Sequence, residues 1–415
     1  MQTPDPSTGY TLWRALKFYI PLVIQAASQS LTYPLVAAIV SHGKHGVVDL
    51  AAFAQGQAVM FMIGALGGGL LTTGMVFGRD AEGFRQFKRL NLWMCGILVL
   101  LQALACVHPF DTIMFDGILG LEAPMDETAR EVLFWSIPLQ IFFFMRNPGL
   151  VALYNARASA AANWGTLSRI ALTACLTPLF VHMGWVGHLM GTLAITAPVL
   201  VEWLLVQRMA TPYIRKLAPA ASQQAGFKTQ FVFTIPLSFG GLLLAMAGFM
   251  IGAFITRADD PARMLPIHYV TMGVVNPVCF AALRMQAVVL AFPPRHKSDH
   301  SVFGFALAAG ILLAFFPLVG QIPAVAQWYF GQIQNVPASD IPLAMRAMLL
   351  ISVLPVLQSL RGHAEGLAAW RRRPNAILAG QAVHLAALVS VLFIALNLGV
   401  PGYVMGVAAI LVATL

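Results

Sequence analysis

The sequence predicts a polytopic α-helical membrane protein, with about twelve transmembrane helices in two six-helix bundles related by a parallel repeat. Three observations predict this fold class. Of the 415 residues, 59% are hydrophobic and only 10% are charged, and long apolar segments follow one another along the chain. Soluble domains carry about 25% charged residues, whereas a helix that crosses a bilayer needs about 20 apolar residues. The composition therefore indicates that lipid surrounds most of this chain.

Apolar segments bounded by charged residues, Pro or Gly define the predicted spans. In chain order they cover residues 17–40, 50–77, 90–109, 131–153, 164–183, 185–207, 229–256, 264–292, 302–328, 342–366, 376–398 and 401–415. Most are long enough to cross the hydrocarbon layer, which is about 30 Å thick. The last segment is the shortest, and it ends in Ala-Thr-Leu.

A polar segment rich in Pro, Ala, Ser and Gln divides the predicted spans into two sets of six. We expect an N-terminal six-helix bundle over residues 1–209, a cytoplasmic linker over 210–228 and a C-terminal six-helix bundle over 229–415. Six spans per bundle give both bundles the same orientation in the membrane. Parallel repeats of this kind are a known transporter plan, in which the substrate site lies between the halves.

Short Pro-centred motifs support the repeat. Residues 18–22 read Phe-Tyr-Ile-Pro-Leu, and residues 233–237 read Phe-Thr-Ile-Pro-Leu, 215 positions later. A second pair, residues 136–139 and 353–356, has nearly the same spacing. Each motif alone is weak, because Pro is common in membrane helices, but two pairs at nearly equal spacing indicate an internal repeat.

Basic residues concentrate in alternate loops, which is the positive-inside pattern. They include Arg79, Arg85, Lys88 and Arg89 after the second span, Arg208, Arg215 and Lys216 after the sixth, and Arg371, Arg372 and Arg373 after the tenth. We therefore expect both termini in the cytoplasm and the protein in the plasma or inner membrane. The formal charge of +9 then reflects orientation in the lipid bilayer, and we expect no nucleic-acid partner and a monomer.

Arginines inside the apolar spans are the main candidates for a binding site. An Arg at the centre of a span costs at least about 2.5 kcal/mol and usually faces a cavity. Two residues in each half share one depth in the membrane: Arg146, Arg169, Arg284 and Arg361. Guanidinium groups around a central cavity would bind carboxylate or phosphate oxygens. The alternative, that these side chains extend to the cytoplasmic headgroups, stays open.

Further polar residues extend this candidate site. They are Gln25 and Gln29 in the first span, Asn276 and Gln286 on either side of Arg284, and His363, two residues after Arg361. Gln25 and Gln29 lie at helical spacing, and the first span contains no Asp or Glu. A cation or drug antiporter would be expected to carry an acidic coupling residue in its first half, so this absence disfavours that function.

Three residues are candidates for coupling transport to a proton or a sodium ion: Glu202, Glu365 and His384. A His beside a carboxylate can titrate near neutral pH, and Glu365 lies two residues after His363. Glu202 is the acid well inside a span of the first half. Structural roles are the alternatives: a hydrogen-bonded helix end for His363 and Glu365, a structural role for His384 and Gln381, which are one helical turn apart, and local pairing of Glu202 with Gln207 or Arg208.

The sequence contains none of the motifs that would indicate an enzyme or a cofactor site. There is no GxxxxGK[ST], no HExxH, no GxSxG and no Cys or His cluster with metal-ligand spacing. We therefore expect no catalytic activity, no cofactor and no metal ion. The missing phosphate-binding loop also excludes a self-contained ATP-driven pump.

Four segments resemble the progressive ankylosis protein family, which belongs to the superfamily of multidrug, oligosaccharide-lipid and polysaccharide exporters. They are Trp13 to Phe77, Pro236 to Arg257, Asn276 to Phe292, and Arg361-Gly362-His363. The resemblance implies a MATE-like fold of two six-helix bundles and export of multivalent anions such as citrate, nucleotides or pyrophosphate. Arg361 and His363 lie on a matching motif, whereas Gln286 stands where the family carries a basic residue.

The expected function is therefore a secondary transporter that exports a small anionic solute by alternating access through a central Arg-lined cavity. A lipid-linked oligosaccharide flippase and a multidrug or cation antiporter of the same superfamily are the alternatives. A membrane scaffold without transport activity is disfavoured by the charges inside the spans.

Overall fold

Helices follow from the apolar composition, because a chain in lipid must satisfy its backbone hydrogen bonds internally. The computed structural model describes residues 10–29, 32–44, 47–119, 121, 125–219, 226–255, 257–296, 298–334 and 336–415. All regular secondary structure in these residues is helical.

Ten α-helices precede the polar segment after Arg215. They are Leu12–Gln29 (α1), Thr32–Ser41 (α2), Val47–Ala65 (α3), Gly69–Phe77 (α4), Ala81–Leu104 (α5), Phe110–Thr112 (α6), Met125–Trp135 (α7), Ile137–Asn155 (α8), Ser159–His182 (α9) and His188–Arg215 (α10). A π-helical segment, Ile113–Ile118, follows α6.

Nine α-helices follow that segment. They are Phe227–Ile255 (α11), Pro261–Leu283 (α12), Met285–Ala291 (α13), Ser301–Val319 (α14), Pro323–Ala326 (α15), Ile341–Ile351 (α16), Leu354–Trp370 (α17), Pro374–Asn397 (α18) and Gly402–Thr414 (α19). A second π-helical segment, Gln327–Ile333, follows α15.

Nine helical segments in the described part of the chain are long and apolar enough to cross a membrane. They correspond to the second, third and fifth to eleventh predicted spans. The fourth predicted span is also helical and comprises α7 and α8, and the first comprises α1 and α2, with residues 30 and 31 outside the described residues. The last helix, Gly402–Thr414, is apolar but shorter than these nine segments.

Contacts along the chain define two compact units. The N-terminal unit comprises Ser28–Gly241, and the C-terminal unit comprises Met1–Ala27 with Leu242–Leu415. Both boundaries fall inside helices, so most of α1 belongs with the C-terminal unit and the first half of α11 with the N-terminal unit. The predicted bundles at 1–209 and 229–415, with the linker at 210–228, stay a prediction. Residues 220–225 of that linker lie outside the described residues.

Helix α1 is held in the C-terminal unit by its aromatic residues. The Tyr19 hydroxyl donates a hydrogen bond to the carbonyl of Ala281 at 3.1 Å. The Tyr19 ring packs edge-on against Phe305, and Phe18 packs edge-on against Phe292. The hydroxyl of a buried Tyr needs such a partner, so this contact fixes the position of α1.

The start of α11 is held in the N-terminal unit by a different set of contacts. The hydroxyls of Thr73 and Thr234 lie 2.8 Å apart, and Phe233 packs edge-on against Phe77. A Cβ added to Gly69 would lie 2.5 Å from Leu237, so only Gly permits this approach. The two Ile-Pro motifs found in the sequence therefore lie in separate units.

Helix breaks occur at equivalent positions in the two units. In the N-terminal unit α7 ends at Trp135 and α8 begins just before Pro138. In the C-terminal unit α16 ends at Ile351 and α17 begins just before Pro355. Pro disfavours helical geometry in the preceding residue and has no N–H to donate, but it fits the first turn of a new helix. The second Pro-centred motif in the sequence therefore marks a helix break.

Each unit has its own apolar core, and lipid-compatible side chains cover its outside. The buried side chains include Phe53, Met60, Leu133 and Val199 in the N-terminal unit and Phe330, Met348, Ile351 and Leu388 in the C-terminal unit. On the surface, Leu92, Trp164, Leu312 and Phe393 are each more than half exposed. In hydrocarbon such side chains are in a favourable environment, and helix packing depends on van der Waals contact.

Candidate functional site

Glu202 lies at the centre of a buried polar cluster in the N-terminal unit. It projects from α10, and its side chain is completely buried. One carboxylate oxygen accepts hydrogen bonds from Arg146 of α8 at 2.7 Å and lies 3.2 Å from Arg169 of α9. The other oxygen accepts a hydrogen bond from the Thr166 hydroxyl at 2.7 Å. We refer to these four residues as the Glu202 cluster.

Two glycines bring the three helices of this cluster close together. A Cβ added to Gly149 of α8 would lie 2.7 Å from Val206 of α10, and one added to Gly165 of α9 would lie 2.6 Å from the same side chain. Small residues allow membrane helices to approach closely. The close approach lets both guanidinium groups reach one carboxylate.

The Glu202 cluster contains more positive than negative charge. Arginine remains protonated in proteins, so Arg146 and Arg169 contribute two positive charges against one negative charge on Glu202. The Arg146 guanidinium also lies 5.0 Å from the centre of the Phe143 ring, in a cation–π contact. Its Nε atom is buried and has no hydrogen-bond partner within the described residues.

A second polar cluster lies in the C-terminal unit. Arg361 of α17 donates from Nε to Glu365 at 3.0 Å, and Gln381 of α18 donates to the same carboxylate oxygen at 3.1 Å. His384, one turn after Gln381, places Nδ1 2.8 Å from the carbonyl of Ala413 in α19. We refer to Arg361, Glu365, Gln381 and His384 as the Glu365 cluster.

The hydrogen bond to Ala413 determines which ring nitrogen of His384 carries the proton. A carbonyl oxygen can only accept, so Nδ1 carries a proton, and in the neutral ring Nε2 holds the lone pair. The Nη1 atom of Arg361 lies 3.4 Å from Nδ1, and two donors cannot bond to each other. This contact therefore places a guanidinium directly beside the imidazole.

The two clusters occupy equivalent positions in the internal repeat. Three pairs of residues are each 215 positions apart, as are the two Ile-Pro motifs: Arg146 with Arg361, Thr166 with Gln381, and Arg169 with His384. The carboxylate is the exception, because Glu202 comes from α10 and Glu365 comes from α17, one turn after Arg361. The repeat therefore keeps the positions of these polar side chains and changes the source of the acid.

The remaining predicted arginine lies at a helix break. Helix α12 ends at Leu283 and α13 begins at Met285, so Arg284 is the residue that joins them. Its side chain is half-buried. In the part of the chain that the structure describes, its guanidinium forms no ion pair. Helix α17 packs closely on this break, because a Cβ at Gly362 would lie 2.9 Å from the Leu283 carbonyl. The helical segment is therefore interrupted at Arg284.

The other predicted site residues are placed as follows. Gln25 is buried in α1, Asn276 and Gln286 are half-buried in α12 and α13, and the side chain of Gln29 lies outside the described residues. His363 packs edge-on against Phe303, with ring centres 5.5 Å apart. The predicted partnership of His363 with Glu365 is therefore replaced by the bonds that Glu365 accepts from Arg361 and Gln381.

Sequence reasoning missed the partner of Glu202 and the role of Thr166. Local pairing of Glu202 with Gln207 or Arg208 was the expected alternative, but its carboxylate bonds across helices to Arg146 and Thr166 instead. Residues five and six positions apart do not share a helix face. The 215-residue spacing between Thr166 and Gln381 was the signal that would have indicated Thr166.

Each unit also holds an ion pair outside the spans. Asp111 accepts from Arg130 at 3.0 Å in the N-terminal unit, and Asp340 accepts from Arg263 at 2.6 Å in the C-terminal unit. Burial raises the pKa of the Asp111 carboxyl, but hydrogen bonds from Arg130 and Thr112 together lower this pKa by more than burial raises it. The pKa of Asp111 is therefore lowered overall. The Arg263 guanidinium lowers the pKa of Asp340. Within the described residues, no group of three His, Cys, Asp or Glu side chains is placed to hold a metal ion.

Solved structures identify the fold. An outward-facing multidrug resistance MATE family transporter of the MOP superfamily is 15% identical, with a TM-score of 0.75 over 97% of this chain and 92% of that chain. A eukaryotic MATE transporter is 15% identical, with a TM-score of 0.74 over 97% and 92%. A MOP superfamily transporter from Pyrococcus furiosus, whose binding pocket has reversed polarity that suggests a different function, is 15% identical, with a TM-score of 0.73 over 97% and 93%.

No protein-family model matches the chain, and no curated protein matches it by sequence. The similarity to solved structures shows that the chain has the fold of the MATE family transporters of the MOP superfamily. This fold is all-helical, with twelve helices in two bundles. The predicted fold class is confirmed.

Proposed function

We propose that this protein is a secondary active transporter that exports small multivalent anions by alternating access. The single observation that carries the proposal is the contact of two buried guanidinium groups, those of Arg146 and Arg169, with one carboxylate, that of Glu202. Guanidinium groups bind the oxygens of carboxylate and phosphate through charge-assisted hydrogen bonds. An anion is therefore favoured beside this cluster.

Unused hydrogen-bond donors in both clusters support an anionic ligand. The Nε atom of Arg146 and the Nη2 atom of Arg361 are buried and lack a partner within the described residues. These two arginines are at equivalent positions of the repeat. A guanidinium presents its N–H groups in a planar fork that fits the oxygens of carboxylate and phosphate, so each cluster retains a donor for such a group.

Glu202 is poorly suited to binding a cation. Its carboxylate already interacts with Arg146, Arg169 and Thr166. A cation would have to displace at least one guanidinium and would meet the positive charge of the other. The first helix, α1, contains no Asp or Glu that could replace Glu202. Both observations support an anion over a cation as the substrate.

The resemblance to the progressive ankylosis protein family supports citrate, nucleotides or pyrophosphate as the class of anion. The Pyrococcus furiosus neighbour supports the idea that this fold accommodates pockets of more than one polarity. The residues proposed to contact the substrate are Arg146, Arg169, Arg284, Arg361, His363, Gln25, Gln29, Asn276 and Gln286. A proton or a sodium ion is proposed as the coupling ion, with Glu202, Glu365 and His384 as the candidate coupling residues.

Transport into and out of proteoliposomes tests this proposal. We expect the purified protein to move radiolabelled citrate, pyrophosphate or ATP, and Arg284→Gln to lower the initial rate about tenfold or more. A lost charge-assisted hydrogen bond costs about 1.5 to 3 kcal/mol, which corresponds to such a factor. The matched control is Arg371→Gln, which changes an exposed arginine in the loop after α17 and should leave the rate unchanged.

Folding of each variant is checked by its melting temperature and its elution from a sizing column. Wild-type rates for Arg284→Gln with all three anions, in protein that is folded, would contradict the role of this residue. No movement of any of the anions by the wild-type protein, with either direction of gradient, would contradict the proposed function.

A multidrug or cation antiporter is the second candidate, because one structural neighbour is a multidrug resistance transporter. The same vesicles distinguish it from the anion exporter. An antiporter would move a cationic dye against a proton or sodium gradient, and Glu202→Gln would stop it. An anion exporter would not move the dye, and its transport would depend on the arginines.

A further inference from the structure

The two polar clusters differ in the kind of positive charge they hold. The repeat aligns Arg169 in the Glu202 cluster with His384 in the Glu365 cluster, 215 positions later. Arginine is protonated at every pH that a folded protein experiences, whereas histidine changes its charge between about pH 5 and 8. At this one position the repeat therefore replaces a permanent charge by one that depends on pH.

The net charges of the clusters follow from their members. Arg146 and Arg169 outweigh Glu202 by one positive charge. In the Glu365 cluster Arg361 balances Glu365, and a neutral His384, with its single proton on Nδ1, adds no charge. A proton on Nε2 of His384 would add one positive charge. The Glu365 cluster would then carry the same net charge as the Glu202 cluster.

We infer that the Glu365 cluster is the proton-coupled part of the transport site, where His384 takes up one proton when an anion binds, while the Glu202 cluster keeps its charge at every pH. This inference rests on the proposed anion transport and deepens it. It assigns the proton as the coupling ion and His384 as its acceptor. Glu202 then becomes a fixed counter-charge and takes no part in coupling.

His384 is the member of this cluster that can change charge without breaking an ion pair. Helix α17 presents Arg361 and Glu365 to it, and these two groups bond to each other. Helix α18 carries no other acidic or basic side chain, and helix α19 carries none. The carboxylate of Glu365 already accepts two hydrogen bonds, from Arg361 and from Gln381.

Contact with Arg361 links the proton to the anion. The guanidinium lies 3.4 Å from the imidazole, so a second positive charge on His384 is disfavoured while the cluster has no ligand. A bound anion compensates both positive charges and makes the proton favourable. Linkage is reciprocal, so protonation of His384 raises the affinity for the anion by the same factor.

The pH dependence of citrate transport tests the inference with two substitutions at position 384. His384→Arg makes the charge permanent, as at Arg169, and should give a low KM at both about pH 6 and about pH 8. His384→Gln removes the charge and should give a high KM at both. Between about pH 6 and about pH 8, the KM of wild type should rise by a factor about ten times larger than the KM of His384→Arg does. Citrate titrates identically with each protein, so the ratio of KM values isolates residue 384.

The matched control is His182→Gln, which changes an exposed histidine at the end of α9 and should retain the wild-type pH dependence. If wild type transports citrate and both His384 variants show the same pH dependence as wild type, the inference is wrong and the proposed function stands. If His384→Arg does not fold, His384→Gln alone is compared with wild type. A KM with the same pH dependence in both proteins would then show that the inference is wrong.

A direct titration separates this inference from failure of the proposed function. In histidine-labelled protein, the NMR resonance that disappears in a His384 variant should titrate between about pH 5 and 8. Added pyrophosphate should shift its midpoint to higher pH. A resonance that does not titrate, or whose midpoint does not respond to the anion, overturns the inference whether or not citrate is transported.

Discussion

The contact between α4 and α8 in the N-terminal unit recurs between α13 and α17 in the C-terminal unit, with the small and the large residue exchanged. In the N-terminal unit a Cβ added to Gly74 would lie 2.4 Å from Val151. In the C-terminal unit a Cβ added to Gly366 would lie 2.7 Å from Val289. Val289 and Gly366 are each 215 positions after Gly74 and Val151.

This exchange shows what the repeat preserves. Membrane helices pack without a hydrophobic driving force between them, so close approach and van der Waals contact determine where they meet. A single glycine on either helix permits the same approach. The distance between the helices is therefore kept in both units, although the residue that permits it has changed sides.

The polar clusters show the same behaviour. The polar side chains aligned by the repeat keep their positions, while the carboxylate comes from α10 in one unit and from α17 in the other. Glu202 is completely buried beside two arginines, whereas the Glu365 side chain is 18% exposed beside one. The N-terminal cluster is therefore the one whose stability depends most on its acid.

Removal of each acid is the most severe test of this difference. We expect Glu202→Gln to destabilise the protein by about 3 to 5 kcal/mol, because it removes the buried carboxylate that two guanidinium groups contact. Glu365→Gln should cost less, about 1 to 3 kcal/mol, since it removes one charge-assisted bond in a site that water can reach. Unfolding in a series of detergent mixtures at pH 7 measures both free energies.

A second substitution serves as the control for charge balance. Arg169→Gln in the Glu202→Gln background removes one of the two positive charges that Glu202 contacts in the wild-type protein and should recover part of the lost stability. Equal losses for Glu202→Gln and Glu365→Gln would mean that the two clusters contribute alike. The distinction between a structural and a titratable cluster would then have no energetic support.

The exchanged glycine contact gives an intermediate effect. Gly74→Ala should destabilise the protein by about 1 to 3 kcal/mol, because its Cβ would press on Val151 at 2.4 Å and on Phe87 at 2.8 Å. Val151→Ala in the same chain should recover part of that loss, while Phe87 remains in the way. Melting temperatures in one detergent compare the single and double variants.

Gly96→Ala is the matched control for the helix backbone. Gly96 lies inside α5, and a Cβ there would meet nothing within 4 Å. Ala is favoured over Gly in a helix by about 0.5 to 1 kcal/mol, so this variant should be as stable as wild type or slightly more stable. A Gly74→Ala protein that melts like Gly96→Ala would rule out close packing at this contact.

The sequence predicted those features that depend on local chemistry. Apolar segment length predicted the spans, and the Pro-centred motifs indicated the internal repeat. The equal spacing of Arg146 and Arg361 was also visible. Each of these follows from a few neighbouring residues or from one repeat distance. The helix breaks just before Pro138 and Pro355 were not predicted, although the same motifs lie at them.

Partners across helices could not be predicted in the same way. Glu202 and Arg146 are 56 positions apart, and their contact depends on how α8 and α10 are rotated against each other. That rotation is determined by packing at Gly149 and Val206, which no local pattern reveals. The exchange of Arg169 for His384 also gained its meaning only when Ala413 showed which nitrogen carries the proton.

Substitutions in the ion pairs outside the spans should have the smallest effect on stability. Each unit holds such a pair, Asp111 with Arg130 and Asp340 with Arg263. The pKa values of Asp111 and Asp340 are both lowered in the folded protein. A carboxyl with a lowered pKa stabilises the fold above its ordinary pKa, and this contribution is lost as the pH falls through the folded value. Asp111→Asn should therefore lower the melting temperature at pH 7 by about 2 °C or less.

The difference between Asp111→Asn and wild type should narrow as the pH falls below about 4, since protonated Asp and Asn are then alike in charge. Asp340→Asn should behave in the same way, because Arg263 is the main cause of the lowered pKa there. High salt should reduce both effects, as it screens exposed charges. A difference that persists unchanged at low pH would mean that the aspartates act through packing, and the similarity between the two units at this position would not be electrostatic.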